Sequence, residues 1–159
     1  MRHFLKILTI FLISLTLISC SEDSEESSET SSTTSDDTTA PSVSSISPTD
    51  DQSSVSISDN ISVTFSEAID NSSVITNTDN TSCLGSILLS SDNFSNCIQM
   101  ESSPSSSNSE KTFTVTPSSK MFYSTTYLIR VTTSAKDSAG NNIATQYTCL
   151  LYTSDAADE

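Results

Sequence analysis

The sequence predicts an all-β fold, an antiparallel β-sandwich that follows a disordered N-terminal segment. From Val43 onward, short segments of alternating apolar and polar residues recur between clusters of Ser, Asn, Asp and Pro. No stretch of this region has the longer apolar period of a helix. The 159 residues suffice for one ordinary domain, and the chain has no Trp, six Phe and four Tyr, which predicts a mostly aliphatic core.

The N-terminus, MRHFLKILTIFLISLTLISC, has the composition of an export signal. Arg2 and Lys6 give it a positive start, and the apolar stretch Ile7–Ile18 is shorter than the roughly 20 residues that span a membrane. Leu17–Cys20 resembles the lipobox of bacterial lipoproteins, in which an aliphatic residue, a small residue and Cys mark the cleavage site. The resemblance implies a signal peptide at 1–19, lipidation of Cys20 and anchorage in a membrane through acyl chains. The alternative is an ordinary cleavage site at which Cys20 is a chance residue.

Residues 21–40 read SEDSEESSETSSTTSDDTTA, with seven acids, no base and no Leu, Ile, Val or aromatic residue. Such a segment buries too little apolar area to fold, so we expect Cys20 and this run to form a disordered acidic tether over 20–40. Fully extended, it would reach about 70 Å. Ser21 after the lipidated Cys resembles lipoproteins sorted to the outer membrane, which implies that location if the organism has two membranes.

The charge of the chain excludes one class of partner. The formal net charge is −14, and after residue 19 four basic residues stand against twenty acids. Nucleic acid is repelled by such a chain, so we expect no nucleic-acid partner.

The folded region is predicted to contain seven short strands, each bounded by turn-forming residues. Ile61, Val63 and Phe65 give the clearest alternation, and Pro117 ends a later strand of the same kind. Glu67 and Asp70 follow Phe65 and are expected to be solvated loop residues. The predicted strands lie at Val43–Ile46, Ile61–Phe65, Ile87–Leu89, Ile98–Met100, Thr112–Thr116, Tyr127–Val131 and Ile143–Tyr147.

Five motifs occur in a recognisable order, PSVSSISP at Pro41–Pro48, VTFSE at Val63–Glu67, FTVTP at Phe113–Pro117, YSTTY at Tyr123–Tyr127 and KDSAGN at Lys136–Asn141. Together they make the region of about 40–147 resemble the bacterial Ig-like domain first associated with S-layer proteins. The resemblance implies an immunoglobulin-like β-sandwich over 41–148. It also implies a spacer or interaction module, with adhesion as one form of that interaction, and no catalytic residues.

Two positions within these motifs carry a physical prediction of their own. Gly140-Asn141 indicates a turn, since both residues tolerate positive φ. Tyr127 begins a late strand, where sandwiches often use a Tyr whose hydroxyl bonds to nearby backbone. Simple packing of Tyr127 in the core is the alternative.

The cysteines and the single His limit the chemistry. Cys83 and Cys97 are expected to form a disulfide in an oxidising compartment, worth about 3 kcal/mol for a loop of this length. The one His, His3, is removed with the signal, which argues against a zinc site and against Ser-His-Asp catalysis. We therefore predict no enzyme, no catalytic residue, no cofactor and no metal ligand. Calcium at the acids is the open alternative, although Asp137–Asn141 matches only part of a calcium loop and is more simply a turn.

The C-terminal segment Cys149–Glu159, CLLYTSDAADE, interrupts the alternation at Leu150-Leu151. It resembles the in-frame translation of an adapter oligonucleotide used in preparing DNA libraries. We therefore expect 149–159 to be a non-native tail, and the chain to be the N-terminal fragment of a longer protein. A native last strand with a frayed acidic end is the alternative.

These observations predict a lipid-anchored protein of the bacterial cell envelope. Its partners would be the membrane, through the lipid, and an unidentified envelope or extracellular protein or glycan. The alternative is an accessory module of a secreted enzyme whose catalytic domain lies outside this sequence.

Overall fold

A computed structural model describes residues 36–157 of the protein. These residues form eight strands and a short 3-10 helix, Asn71–Ser73. The strands are β1 (Val43–Ser47), β2 (Gln52–Val55), β3 (Ile61–Phe65), β4 (Ile87–Ser90), β5 (Ser105–Ser107), β6 (Thr112–Val115), β7 (Thr126–Val131) and β8 (Tyr147–Thr153). Within the described part of the chain, no helix has the length and apolar character needed to cross a membrane.

The strands form two four-stranded sheets, which together make an immunoglobulin-like β-sandwich. The first sheet has the order β1-β3-β6-β5 and is antiparallel throughout. The second has the order β2-β8-β7-β4, and in it β2 pairs with β8 in parallel. The predicted fold class is confirmed, with this parallel pair as the departure from a purely antiparallel arrangement.

The alternation of residues along the strands explains how the sheets share one core. Ile61, Val63 and Phe65 of β3 point inward and are almost fully buried, while Ser62 and Thr64 between them are only partly buried. Phe65 packs edge-on against Phe113 of β6, with ring centroids 5.9 Å apart. On the outer side of the same two strands, the hydroxyls of Ser62 and Thr114 bond to each other at 2.8 Å. The first sheet therefore has an apolar inner face and a polar outer face, as expected when one face meets water.

Five of the seven predicted strands are present within a residue or two of the expected bounds: β1, β3, β4, β6 and β7. The predicted strand Ile98–Met100 is wrong, since Met100 makes only an isolated bridge with Pro117. β2 and β5 were not predicted, because Gln52–Val55 and Ser105–Ser107 carry a single apolar residue between them.

The last strand also differs from the prediction. Ile143 lies in the loop after β7, where its N–H donates to the Ala135 carbonyl at 3.0 Å, and the strand begins only at Tyr147. Cys149 and Leu151 then point into the core, at 2% and 0% exposure. The expectation that alternation ends at Leu150-Leu151 is therefore wrong for this fold. The non-native origin of 149–159 stays a prediction.

The folded chain begins and ends at opposite ends of the sandwich. At one end, which we call the N-terminal pole, the Asp37 carbonyl accepts a hydrogen bond from Asn141 in the loop after β7. At the other end, the C-terminal pole, the Ser154 N–H donates to Val55 at 2.8 Å and its carbonyl accepts from Ser124 just before β7. The seven residues of β8 span about 24 Å between the two poles.

Candidate functional site

The predicted lipidation site, Cys20, lies outside the described residues, as do the signal peptide and most of the tether. Lipidation of Cys20 accordingly remains a prediction.

Three acids meet at the N-terminal pole. Asp37 precedes β1, Glu67 follows β3 and Asp137 follows β7, and one carboxylate oxygen from each lies within 4.8 Å of the others. A bridge between Ile69 and Asp137 holds the two loops together. The sequence separates these acids by 30 and 70 positions, so no local pattern could have indicated the group.

Hydrogen bonds satisfy the carboxylate of Asp137, the buried member of this group. Asp137 is 3% exposed, and its two carboxylate oxygens accept from the backbone N–H and the side-chain amide of Asn141, both at 2.8 Å. Burial by itself raises the pKa of Asp137, but the bonds from Asn141 and the N–H groups of Gly140 and Ala139 outweigh it, so this pKa is lowered. Gly140 has a φ of 97°, so the turn predicted at Gly140-Asn141 is confirmed.

Glu67 lies partly buried in this group and is less solvated than predicted. Burial raises the pKa of Glu67, and the nearby Asp37 and Asp137 raise it further, while Lys111 opposes them. Asp70 does not join the group. Its carboxylate accepts from the hydroxyl and N–H of Ser72 and so caps the 3-10 helix, which lowers its pKa.

The acidic group offers carboxylate oxygens, the ligands that calcium prefers, but a calcium site uses six to eight oxygens in total. Both oxygens of Asp137 are already engaged by Asn141. What the geometry explains directly is the attachment of the chain before β1 to the loop after β7, since the Asn141 amide also binds the Asp37 carbonyl at 2.9 Å.

The second candidate region is built around a disulfide. Cys83 and Cys97 are joined by a bond of 2.07 Å, with Cα atoms 5.0 Å apart. Next to it, Gly85 has a φ of 140°, and a Cβ there would lie 2.7 Å from the Ile75 carbonyl oxygen. Only glycine permits this close approach, which brings the backbone next to Leu84 against the backbone of Ile75.

A cleft of about 180 Å³ lies beside Leu84. Its lining combines two exposed aliphatic side chains with a run of polar residues, namely Ile75, Thr76, Asn77, Thr78, Asp79, Asn80 and Leu84. The disulfide indicates that this region is rigid, but nothing in the sequence indicates that its segments enclose a cleft.

Tyr127 has both of the roles that the sequence left open, packing in the core and a hydrogen bond between its hydroxyl and nearby backbone. Its side chain is 0% exposed in the core, and its hydroxyl accepts a hydrogen bond from the Phe122 N–H at 2.9 Å. The tyrosine therefore fixes the loop that leads into β7 at the C-terminal pole.

Comparison with known proteins agrees with this architecture. A family described as a bacterial Ig-like domain matches the chain over residues 37–154. No curated protein matches the sequence.

Three solved structures of a bacterial S-layer protein, SbsC, are similar in fold. The N-terminal part of SbsC is 22% identical, with a TM-score of 0.51, and the match covers 73% of this chain and 24% of that one. The S-layer protein rSbsC(31-844) is 23% identical, with a TM-score of 0.50, over 74% of this chain and 14% of that one. SbsC domains 1-6 is 21% identical, with a TM-score of 0.51 and the same coverages of 74% and 14%. The chain thus spans a quarter or less of the SbsC chains that it resembles, and at these identities the likeness concerns the fold.

Proposed function

The chain belongs to the bacterial Ig-like domain family, and we propose that it is a lipid-anchored spacer and interaction module of a bacterial cell envelope. The spacer role is supported above all by the opposite poles at which the folded chain begins and ends. Asp37 contacts Asn141 at one pole, and Ser154 contacts Ser124 at the other.

Because the chain enters and leaves at opposite poles, the domain adds its own length between the segments on either side of it. The tether would carry the N-terminal pole up to about 70 Å from the lipid. The sandwich adds about 24 Å before the chain leaves at the C-terminal pole. The SbsC chains, which contain a domain of similar fold within a much longer protein, are consistent with a role as one unit of an extended assembly.

The orientation of the domain can be measured on lipid vesicles that carry a quencher in their headgroups. A fluorophore at Ser138→Cys reports the N-terminal pole, and one at Ser119→Cys, also exposed, reports the C-terminal pole. We expect stronger quenching at position 138 than at position 119, because the tether enters at the N-terminal pole. Equally strong quenching at both positions would mean that the domain lies flat on the membrane, which contradicts a spacer.

The anchor rests on the lipobox-like Leu17–Cys20 and is tested by metabolic labelling with a fatty-acid analogue. We expect the wild type and a Cys149→Ala variant to be labelled, and a Cys20→Ala variant to remain unlabelled. Equal labelling of all three would refute lipidation at Cys20.

The full reading frame distinguishes the spacer from an accessory module of a secreted enzyme. From its resemblance to an adapter translation, we propose that 149–159 is not native and that the protein continues beyond it, in which case a native strand would take the place that Cys149–Thr153 occupy in β8. Further Ig-like repeats would favour the spacer, and a hydrolase-like domain would favour the accessory module. Long-read sequencing of the locus decides the point, and a stop codon directly after Glu159 would contradict a continuing protein.

A further inference from the structure

We propose that Arg130, stacked against the ring of Phe94 on the outer face of the second sheet, binds a carboxylate side chain of a partner protein. This rests on the interaction role proposed above and gives that role a site and a ligand chemistry. Three features support it, namely the fixed position of the guanidinium, its donors without acceptors, and the acidic character of the rest of the chain.

Arg130 lies on the side of the second sheet that faces away from the core. It stands between Ile129 and Val131 on β7, which are fully buried in the core, so its own side chain points outward. Its cross-strand neighbours on this face are Leu88 of β4 and Thr148 of β8. The face runs along the side of the sandwich, between the two poles at which the folded chain begins and ends.

The loop after β4 holds the Phe94 ring over the guanidinium. The Arg130 Cζ atom lies 3.5 Å from the centroid of this ring. Phe94 has a φ of 63°, which is uncommon for a bulky residue, and its N–H donates to the Ser90 hydroxyl at 2.9 Å. The same hydroxyl donates to the Asn96 carbonyl at 2.7 Å, and the disulfide fixes Cys97 at the end of the loop. The ring is therefore in place before any ligand arrives, and stacking on it orients the planar guanidinium.

The guanidinium has donors without acceptors. Its Nε atom is buried and donates no hydrogen bond, so this nitrogen is closed to a ligand. The two terminal nitrogens are neither buried nor bonded to an acceptor within residues 36–157, and they are the accessible part of a half-buried side chain. The terminal nitrogens of Arg130 thus form a planar pair of donors, which matches the two oxygens of a carboxylate.

No acid among the described residues fills this position. Asp92 belongs to the same loop, but its two carboxylate oxygens accept from the N–H and the side-chain amide of Asn96, at 2.9 and 2.8 Å. By contrast, Lys111 acts through its charge on Glu67. A carboxylate that pairs with Arg130 therefore comes from outside residues 36–157.

The charge of the chain distinguishes among the sources of a carboxylate. With a formal net charge of −14, the protein repels polyanions such as a uronate-bearing glycan, a phosphate polymer or its own acidic tether. A partner protein that is neutral or basic overall, and that presents one Asp or Glu, avoids this repulsion. Arginine is also among the residues that contribute most to protein interfaces, where neighbouring contacts exclude water from the charged pair. The favoured occupant is therefore an acidic side chain of such a partner.

The test uses the isotopically labelled polypeptide Ser21–Glu159 and nuclear magnetic resonance titration at low ionic strength. The probe is Nα-acetyl-glutamate amide, which carries one side-chain carboxylate, and its neutral counterpart is Nα-acetyl-glutamine amide. We expect the glutamate probe to cause saturable shifts of the Arg130 Nε–H signal and of the amide signals of residues 92–95 and 128–130. The glutamine probe should bind at least about tenfold more weakly, and tenfold corresponds to 1.4 kcal/mol.

Three variants and a matched control locate the site. Arg130→Gln removes the charge and should weaken binding of the glutamate probe at least about tenfold. Arg130→Lys keeps the charge but loses the planar pair of donors, and Phe94→Leu loses the stacking, so each should weaken binding to a smaller extent. Lys120→Gln removes an exposed base outside this face and is expected to change nothing. Dispersed amide spectra confirm that each variant is folded.

The proposal is overturned if the glutamate and glutamine probes bind equally, or if Lys120→Gln weakens binding as much as Arg130→Gln. Tighter binding of glucuronate or of inorganic phosphate would replace the acidic side chain with another ligand class. Shifts of the signals of residues 22–29 in the Arg130→Gln variant would mean that the chain's own tether occupies the site, which also overturns the proposal. Because the polypeptide used carries no lipid, failure here leaves the anchored spacer untouched, and failure of lipidation leaves this result untouched.

Discussion

Replacing Tyr127 with Phe removes one hydroxyl from the C-terminal pole of the domain and leaves the buried ring in place. The hydroxyl accepts from the Phe122 N–H at 2.9 Å, and the Tyr127 side chain is 0% exposed. Loss of a hydrogen bond that leaves a donor without a partner costs about 1–3 kcal/mol. For a domain of this size each kcal/mol lowers the melting temperature by about 4 °C, so the expected fall is about 4–12 °C.

The measurement is chemical and thermal unfolding followed by circular dichroism, with Tyr152→Phe as the matched control. Tyr152 also lies on a strand of the second sheet but is 39% exposed. We expect Tyr152→Phe to change the free energy of unfolding by less than about 0.5 kcal/mol, as surface substitutions usually do. If the two substitutions cost the same, the hydroxyl of Tyr127 does not fix the loop and the reasoning fails.

Three further predictions concern the cysteines and the acidic group. Peptide mapping without reductant should recover Cys83 linked to Cys97. A variant with both cysteines replaced by Ser should lose about 3 kcal/mol of stability. A loss below about 0.5 kcal/mol would contradict a stabilising role of the disulfide. Burial and, to a smaller extent, nearby acids raise the pKa of Cys149 to about 11. Its thiol should therefore resist alkylation at pH 8 until the protein unfolds. The stability of the protein should fall as the pH rises through 11. Because the pKa of Glu67 is raised, the protein loses stability as the pH rises through that pKa. Glu67→Gln should therefore stabilise the protein at pH 7 but not at pH 3. The control Glu101→Gln, at an exposed position, should leave stability unchanged at both pH values.

Alternation predicted those strands in which one face meets the core and the other meets water. It identified β3 and β7, where buried and less buried residues alternate. It failed at β2, where Val55 is the one buried residue of the strand, and at β5, where all three residues are exposed serines. These strands exist because a neighbouring strand offers backbone partners, and their own side chains do not indicate them.

Of the candidate sites, likewise, one could be predicted from the sequence and the others could not. The pairing of Cys83 with Cys97 could be predicted because these are the two cysteines in the body of the domain once Cys20 is assigned to the lipid and Cys149 to the tail. The acidic group of Asp37, Glu67 and Asp137 and the cleft at Leu84 arise from contacts between distant segments, which a single sequence does not specify.

The parallel pairing of β2 with β8 has a consequence for the order of folding. β2 has no other neighbour in its sheet, and β8 is the last strand of this domain among the described residues, so the second sheet can close only after Thr153 has been delivered. A chain crossing a membrane from its N-terminus would hold β2 unpaired, and one edge of β7 open, until nearly all of the domain had emerged. Contacts between such distant segments also slow folding. The interval before closure is therefore when the nascent domain is most exposed to proteases and to pairing with the wrong strand.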